Sequence, residues 1–207
     1  MSGRILAIDT TAESGSIALG GEEILLHASD GFGGVIFEHI EVMLRRVGLR
    51  LEDLDAFAAA SGPGSFTGVR IALACVKGLA EATGKAAFGV SNLAALARFG
   101  STDYRVPVID ARRGEVYAAV YDASGRVIVE ETVCPLAVFL SRLPEGAVEI
   151  ISQNEVAGVV VRAPQALAGM VARIAEERLA VGEEGDPAGI DANYVRRSDA
   201  ELLFKPW

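Results

Sequence analysis

The chain has 207 residues, 51% of them hydrophobic and 23% charged, with a formal net charge of −9. This composition supports a substantial core, arranged as one large domain or two small ones, and excludes a disordered chain. The acidic balance argues against a protein that grips nucleic acid by itself or lies on an anionic membrane, since both depend on Lys and Arg. Cys75 and Cys134 make no disulfide framework and read as buried thiols of a reducing cytosol. Asp9 interrupts the first apolar stretch, which speaks against a signal peptide. No apolar run approaches the roughly 20 residues that span a bilayer, so the expectation is a soluble, cytoplasmic protein.

Taken in order, residues 4–8 form an opening strand that ends at Asp9-Thr10-Thr11. Residues 12–15 turn it, 16–19 return antiparallel, and 23–28 complete a β-meander after the Gly20-Gly21 turn. A polar loop, 29–34, precedes a helix over 35–47. Its spacing puts Phe37, Ile40, Leu44 and Val47 on one face, with Ile36 and Met43 alongside. Residues 54–60 read as a short buried strand. The run Ser61-Gly62-Pro63-Gly64-Ser65-Phe66-Thr67-Gly68-Val69-Arg70 then makes a tight turn into a long helix over 71–82. Gly62 and Gly64 permit unusual backbone angles, Pro63 stiffens the turn, and Thr67 suits the helix N-cap. Free amides at such a turn would suit an anion.

The long helix is apolar on most sides. Arg70, Lys77 and Glu81 form one narrow polar stripe, and Ala74, Gly78 and Ala82 leave one flank nearly flat. That pattern fits either a surface for a partner helix or a fully buried central helix. A strand over 86–90 and a small helix over 91–98 follow, and 100–103 resembles a hinge. The division expected is 1–102 and 103–207.

The second part restarts the pattern of the first. A strand over 106–109 ends at Asp110-Ala111, Arg112-Arg113-Gly114 turns it, 115–121 returns, and 126–133 is the third strand. Strand, Asp, tight turn, strand, Gly turn, strand is one motif used twice. A short helix to 142 follows, then strand candidates at 148–151 and 158–161. Pro164 suits the start of a helix running to 181, with Leu167, Met170, Val171, Ile174 and Leu179 inward. The tail, 191–207, has no clear element, and its last residues are expected to be mobile.

Asp9 and Asp110 each end the first strand of a meander, so in two opposed halves these carboxylates would flank a cleft. There they could hold hydrated Mg²⁺ and nucleotide phosphates, or simply cap backbone amides. The loop from Gly62 to Gly68 lacks the Lys of a Walker loop and the third glycine of a dinucleotide fingerprint. A close backbone contact, to ligand or partner, stays open for it. The chain has no Gly-x-Ser-x-Gly elbow, and its two histidines are His27 and His39. A zinc protease would carry a second His one turn after His39, where Met43 stands.

Several of these stretches resemble the TsaB (YeaZ-type) family of tRNA threonylcarbamoyladenosine biosynthesis. They are Ile5 to Thr10 with Ser16 to Leu19, Glu38-His39, Gly62 to Ile71, Ile109 to Tyr117, and Tyr194-Val195-Arg196-Arg197. The resemblance implies an α/β fold of the actin/Hsp70/sugar-kinase type, with two RNase H-like halves and mixed sheets. It implies that Asp9, Thr10, Thr11, Asp110 and Arg113 lie in degenerate phosphate loops, with at most weak ATP or ADP with Mg and no required cofactor. The catalytic relative TsaD has a metal-binding histidine pair on the corresponding helix; here that pair is His39 and Met43, so no metal site and no catalytic residue are expected. The chain then reads as a non-catalytic subunit. It would pair with itself in isolation or with a TsaD-type subunit, work with a TsaE-type ATPase, and meet tRNA only through the complex. The implied partner surface is Glu38, His39, Met43, Arg70, Ala74, Lys77, Gly78 and Glu81, with Gly62, Pro63, Gly64, Thr67 and Gly68 as the structural turn. The alternative is an active ATP-dependent phosphotransferase of the same fold. A peptidase site is not assembled.

Overall fold

The computed structural model describes residues 3–143, 145–146, 148–156 and 160–196. β1 (Ile5–Asp9), β2 (Ser14–Leu19) and β3 (Glu22–His27) form the first meander. α1 (Phe32–Val47) leads to β4 (Ala56–Ala60), and α2 (Phe66–Thr83) leads to β5 (Ala86–Val90). α3 (Asn92–Ala97) links to a second meander of β6 (Tyr104–Arg112), β7 (Glu115–Asp122) and β8 (Val127–Pro135). α4 (Leu136–Leu140), β9 (Val148–Ser152), β10 (Val160–Arg162) and α5 (Ala168–Ala180) complete the described elements.

The first sheet has the order β3-β2-β1-β4-β5 and the second β10-β9-β6-β7-β8, the same arrangement read from the other edge. In each, the opening strand is antiparallel to its hairpin partner and parallel to the fourth strand. The repeated motif is thus a repeated sheet.

Strict alternation along the central strands of the first sheet feeds two cores. Leu6, Ile8, Phe57 and Ala59 face α1 and α2. Ile5, Ala7, Ala56, Ala58 and Ala60 face α5, which meets them with Ala168, Val171 and Ala175. Small side chains on both surfaces let helix and sheet approach closely. So the fifth helix, which follows the second sheet in sequence, packs on the first. α3, which follows the first sheet, packs on β6 and β7 through Leu93, Ala97, Ala119 and Tyr121. The start of α5 is held from the first meander: Ser16 Oγ accepts from the Leu167 and Ala168 amides at 3.1 and 2.9 Å. Glu23 Oε1 accepts from the Gly169 amide at 3.0 Å. These bonds satisfy amides that a helix start leaves unpaired.

Several expectations change. α1 begins at Phe32, taking in Gly33 and Gly34, and its buried face is Phe32, Ile36, Ile40 and Met43. Phe37 lies about a quarter-turn off that face and is 58% exposed. Met43 is fully buried and therefore leaves the expected partner surface. α2 begins at Phe66, and its cap is Ser65, whose Oγ accepts from the Gly68 amide; Thr67 and Gly68 lie inside the helix rather than in the turn. α2 is not buried all round: Ala74, Gly78 and Ala82 are exposed. α5 starts at Ala168 instead of Pro164. Cys75 is buried, its thiol pushed up to about 11 by burial, whereas Cys134 is half-buried. Gly158, expected in a strand, and the tail beyond Arg196, including Arg197, lie outside the described residues. Among the described residues, no helix is long and apolar enough to cross a membrane.

Removing the Ser16 hydroxyl leaves two amides of α5 without that acceptor. Ser16→Ala is expected to lower unfolding stability by about 1 kcal/mol in urea titrations, the typical cost of a lost N-cap.

Candidate functional site

The Asp9-Thr10-Thr11 turn and the Gly62–Gly68 run meet as one interlocked unit. Asp9 Oδ1 accepts from the Thr11 amide at 2.8 Å and the Thr11 hydroxyl at 2.6 Å. The Ser65 amide donates to the Thr11 carbonyl at 2.6 Å. The Thr10 hydroxyl donates to the Gly68 carbonyl at 2.6 Å. The glycines are required by this approach: a Cβ on Gly64 would lie 2.6 Å from the Thr11 carbonyl oxygen, and one on Gly68 only 1.8 Å from that of Thr10. The close backbone contact left open by the sequence is therefore made by the chain itself. The Ser65 and Gly68 amides, candidates for an anion, are already engaged. The Gly62–Pro63 peptide is cis.

Asn92, at the start of α3, ties the two parts of this unit together. Its Nδ2 donates to Thr11 Oγ1 at 2.7 Å, its Oδ1 accepts from the Gly62 amide at 2.9 Å, and its own amide donates to the Gly62 carbonyl at 2.8 Å. Nearby, Glu131 on β8 accepts from the Ser91 hydroxyl, the Tyr121 hydroxyl and the Asn193 amide group. Burial, reinforced by Glu131, pushes the Tyr121 phenol far above its ordinary value. Asn92, Glu131 and Asn193 were invisible as site residues in the sequence. Only Ser91-Asn92, a capping pair opening a short helix, carried a signal.

The two aspartates share geometry but not surroundings. Asp110 Oδ1 accepts from the Arg112 amide at 2.8 Å, repeating the Asp9 turn. Asp9 is 1% exposed, whereas the Asp110 side chain is about half exposed and has the Arg112 guanidinium at 3.7 Å. Arg112 and Arg113 sit at φ 65° and 57°, left-handed backbone that costs a residue with a Cβ about 1–2 kcal/mol each. Burial raises the Asp9 carboxyl above the ordinary carboxylate range, and hydrogen bonds from Thr11 and Asn92 pull it back.

A groove of about 340 Å³ opens beside the cis-proline turn, lined by residues that include Gly64, Phe66, Tyr117, Tyr194 and Arg196. The Arg70 guanidinium lies 3.3 Å over the Phe66 ring. On the helices, Glu38, Arg70, Ala74, Gly78 and Glu81 are exposed, and His39 and Lys77 are partly so. Among the described residues, no three His, Cys, Asp or Glu side chains are grouped as metal ligands.

The sequence model of the family described as TsaD, tRNA N6-adenosine threonylcarbamoyltransferase, matches residues 27–181. The Escherichia coli tRNA threonylcarbamoyladenosine biosynthesis protein TsaB is 39% identical over 147 residues, which cover 62% of this chain and 60% of the relative. The Bacillus subtilis TsaB is 34% identical over 124 residues, 56% of this chain and 54% of the relative. The chain belongs to the TsaD family, on its TsaB (YeaZ-type) branch. Its match spans about three fifths of the length of the Escherichia coli TsaB. The solved structure of YeaZ from Pseudomonas aeruginosa superposes with a TM-score of 0.76 at 25% identity, covering 92% of this chain and 99% of that one. The two mixed-sheet halves of this TsaB-branch chain have the actin-like fold.

Two glycines on α2 separate the internal constraint from the open flank. Gly68→Ala is expected to cost about 3 kcal/mol or more, because the Thr10 carbonyl must move. Gly78→Ala, with nothing within 4 Å of its Cβ position, is expected to gain up to about 1 kcal/mol of helix propensity. Denaturant titration of both variants checks the contrast. For Asp9, a raised folded-state value means that the unfolded chain gives up the proton first, so the group's contribution falls as pH rises past 3.8. Asp9→Asn keeps an acceptor toward Thr11 and cannot ionise. Its stability relative to the natural chain should therefore improve between about pH 3 and about pH 7, measured by urea unfolding across that range.

Proposed function

We propose that this chain is a non-catalytic subunit of the machinery that makes threonylcarbamoyladenosine in tRNA, acting as a docking and activating partner of a TsaD-type subunit. Its TsaB-branch membership supports the pathway. The observation that carries the partner role is the outer flank of α1 and α2. Gly33, Gly34 and Gly78 lie within these helices, yet nothing stands within 4 Å of a Cβ built on any of them. A helical glycine costs about 1 kcal/mol relative to alanine, and here no internal packing requires it. Close approach by another chain supplies a reason. Phe37, 58% exposed on α1, adds apolar surface to the same flank.

The catalytic equipment is reduced in parallel. One turn after His39 stands Met43, wholly buried in the core, so that position serves packing. The first Asp turn is closed over itself, and the second carries two arginines in left-handed backbone. Binding of ATP or ADP with Mg at Asp9, Thr10, Thr11, Asp110 and Arg113 would then be weak, and no cofactor is required. With a net charge of −9, the chain would leave most of the grip on tRNA to other subunits. Self-pairing in isolation would use the same flank, and a TsaE-type ATPase would complete the assembly.

Gly78→Leu places a bulky side chain on the flank with no core to overfill. The variant is expected to fold with undiminished thermal stability and to lose association with itself or with a TsaD-type subunit. Size-exclusion chromatography with light scattering reads this out, and an unchanged complex removes α2 from the interface. In reconstituted tRNA modification, leaving out the chain should abolish or sharply slow product formation. Calorimetry with Mg-ATP on the chain alone should give weak binding or none; tight binding with turnover would favour a phosphotransferase instead.

A further inference from the structure

After α5 the chain runs back across the ends of both sheets. Ile190 is buried in the first core beside Gly89. Beyond it the segment has no regular secondary structure; Ala192 still packs against the first core, and the rest is held by polar contacts to both halves. The Asn193 amide donates to the Ser61 carbonyl at 2.8 Å, on the first half. The Asn193 side chain reaches Glu131 and Arg196 pairs with Glu115, both on the second. Tyr194 lies against the Phe66 ring, centroids 6.2 Å apart, along one wall of the 340 Å³ groove.

We propose that residues 191–196 form a releasable strap, latched by Glu131 across the two halves, whose closure forms one wall of the groove beside the cis-proline turn. The asymmetry of the Glu131 site carries this. Ser91 and Tyr121 belong to the body of the protein and keep donating to Glu131 whether or not the strap is in place. When Asn193 leaves, Oε1 keeps both of its donors and only Oε2 gives one up; Glu131 is half-buried, so water can replace that donor and opening avoids the penalty of an orphaned buried charge. Ile190 stays rooted in the core and marks the hinge. Segments with few buried apolar contacts and exposed backbone bonds open first in a folded protein. Opening would carry Tyr194 away from Phe66 and Arg70 and expose the Tyr117 wall.

The test is amide hydrogen exchange on the full chain, followed by peptides. Asn193→Ala removes the strap's half of the latch and touches no fully buried side chain. It is expected to speed exchange at 191–196 by about tenfold, with β1, β4 and α2 unchanged. Glu131→Gln removes the charge from the other half and should speed the same peptide. The double variant should exchange no faster than the faster single, because both changes break one contact. Unchanged exchange at 191–196 in Asn193→Ala overturns the proposal. So does an equal rise across β1 and β4, which would mean general loosening, and so do additive effects in the double variant.

Discussion

Two backbones meet at van der Waals limits where the first strand ends. The Thr10 and Thr11 carbonyls sit against Gly68 and Gly64 so closely that no side chain fits between them. That contact fixes where α2 starts, and through Thr11 and Asn92 it fixes where α3 starts as well. The Ser65 amide goes to the Thr11 carbonyl and the Gly68 amide to Ser65 Oγ, so two amides at the head of α2 are used by the chain's own oxygens. A strand, a glycine turn and a helix in this order often make an anion site. Here the same local geometry has become a structural joint, which is why a phosphate-loop reading of the glycines fails for reasons beyond a missing lysine.

The two halves show how a repeated plan takes on separate duties. Both sheets have one strand order, and both opening strands carry an Asp at or near their end that accepts the amide two residues on; β1 stops at Asp9, whereas β6 continues past Asp110 to Arg112. In the first half that turn is covered and hydrogen-bonded within. In the second it faces solvent and holds two arginines in left-handed backbone. Meanwhile each half has handed a helix to the other: α3 covers the second sheet and α5 the first. The exchange makes the halves interdependent even though their sheets are separate.

Local chemistry made much of this readable beforehand. Alternation, glycine turns and the doubled meander follow from side-chain period and backbone freedom, and they appear where expected. Errors arose where a choice depended on packing direction. Phe37 shares helical spacing with core residues but points outward, while Met43 points in. Ser65 and Thr67 are both plausible caps, and the contact with Thr10 and Thr11 selects the first. Pro164 suits a helix start, yet α5 begins at Ala168, where Ser16 and Glu23 wait to receive its amides. Asn92, Glu131 and Asn193 could not be found by spacing at all. Their partners lie far along the chain, as with Asn193 and Glu131, 62 positions apart.

The alanine-faced side of the first sheet has a bearing on how the molecule is born. Ala7, Ala56 and Ala58 have no cover until α5 arrives, and Ser16 waits 151 positions for the amide of Leu167. On the ribosome, the first sheet emerges with one apolar flank bare and stays that way until residues 168–180 have been made. Completion of that half's core therefore waits for α5, and a chain stopped before it would leave this apolar face uncovered.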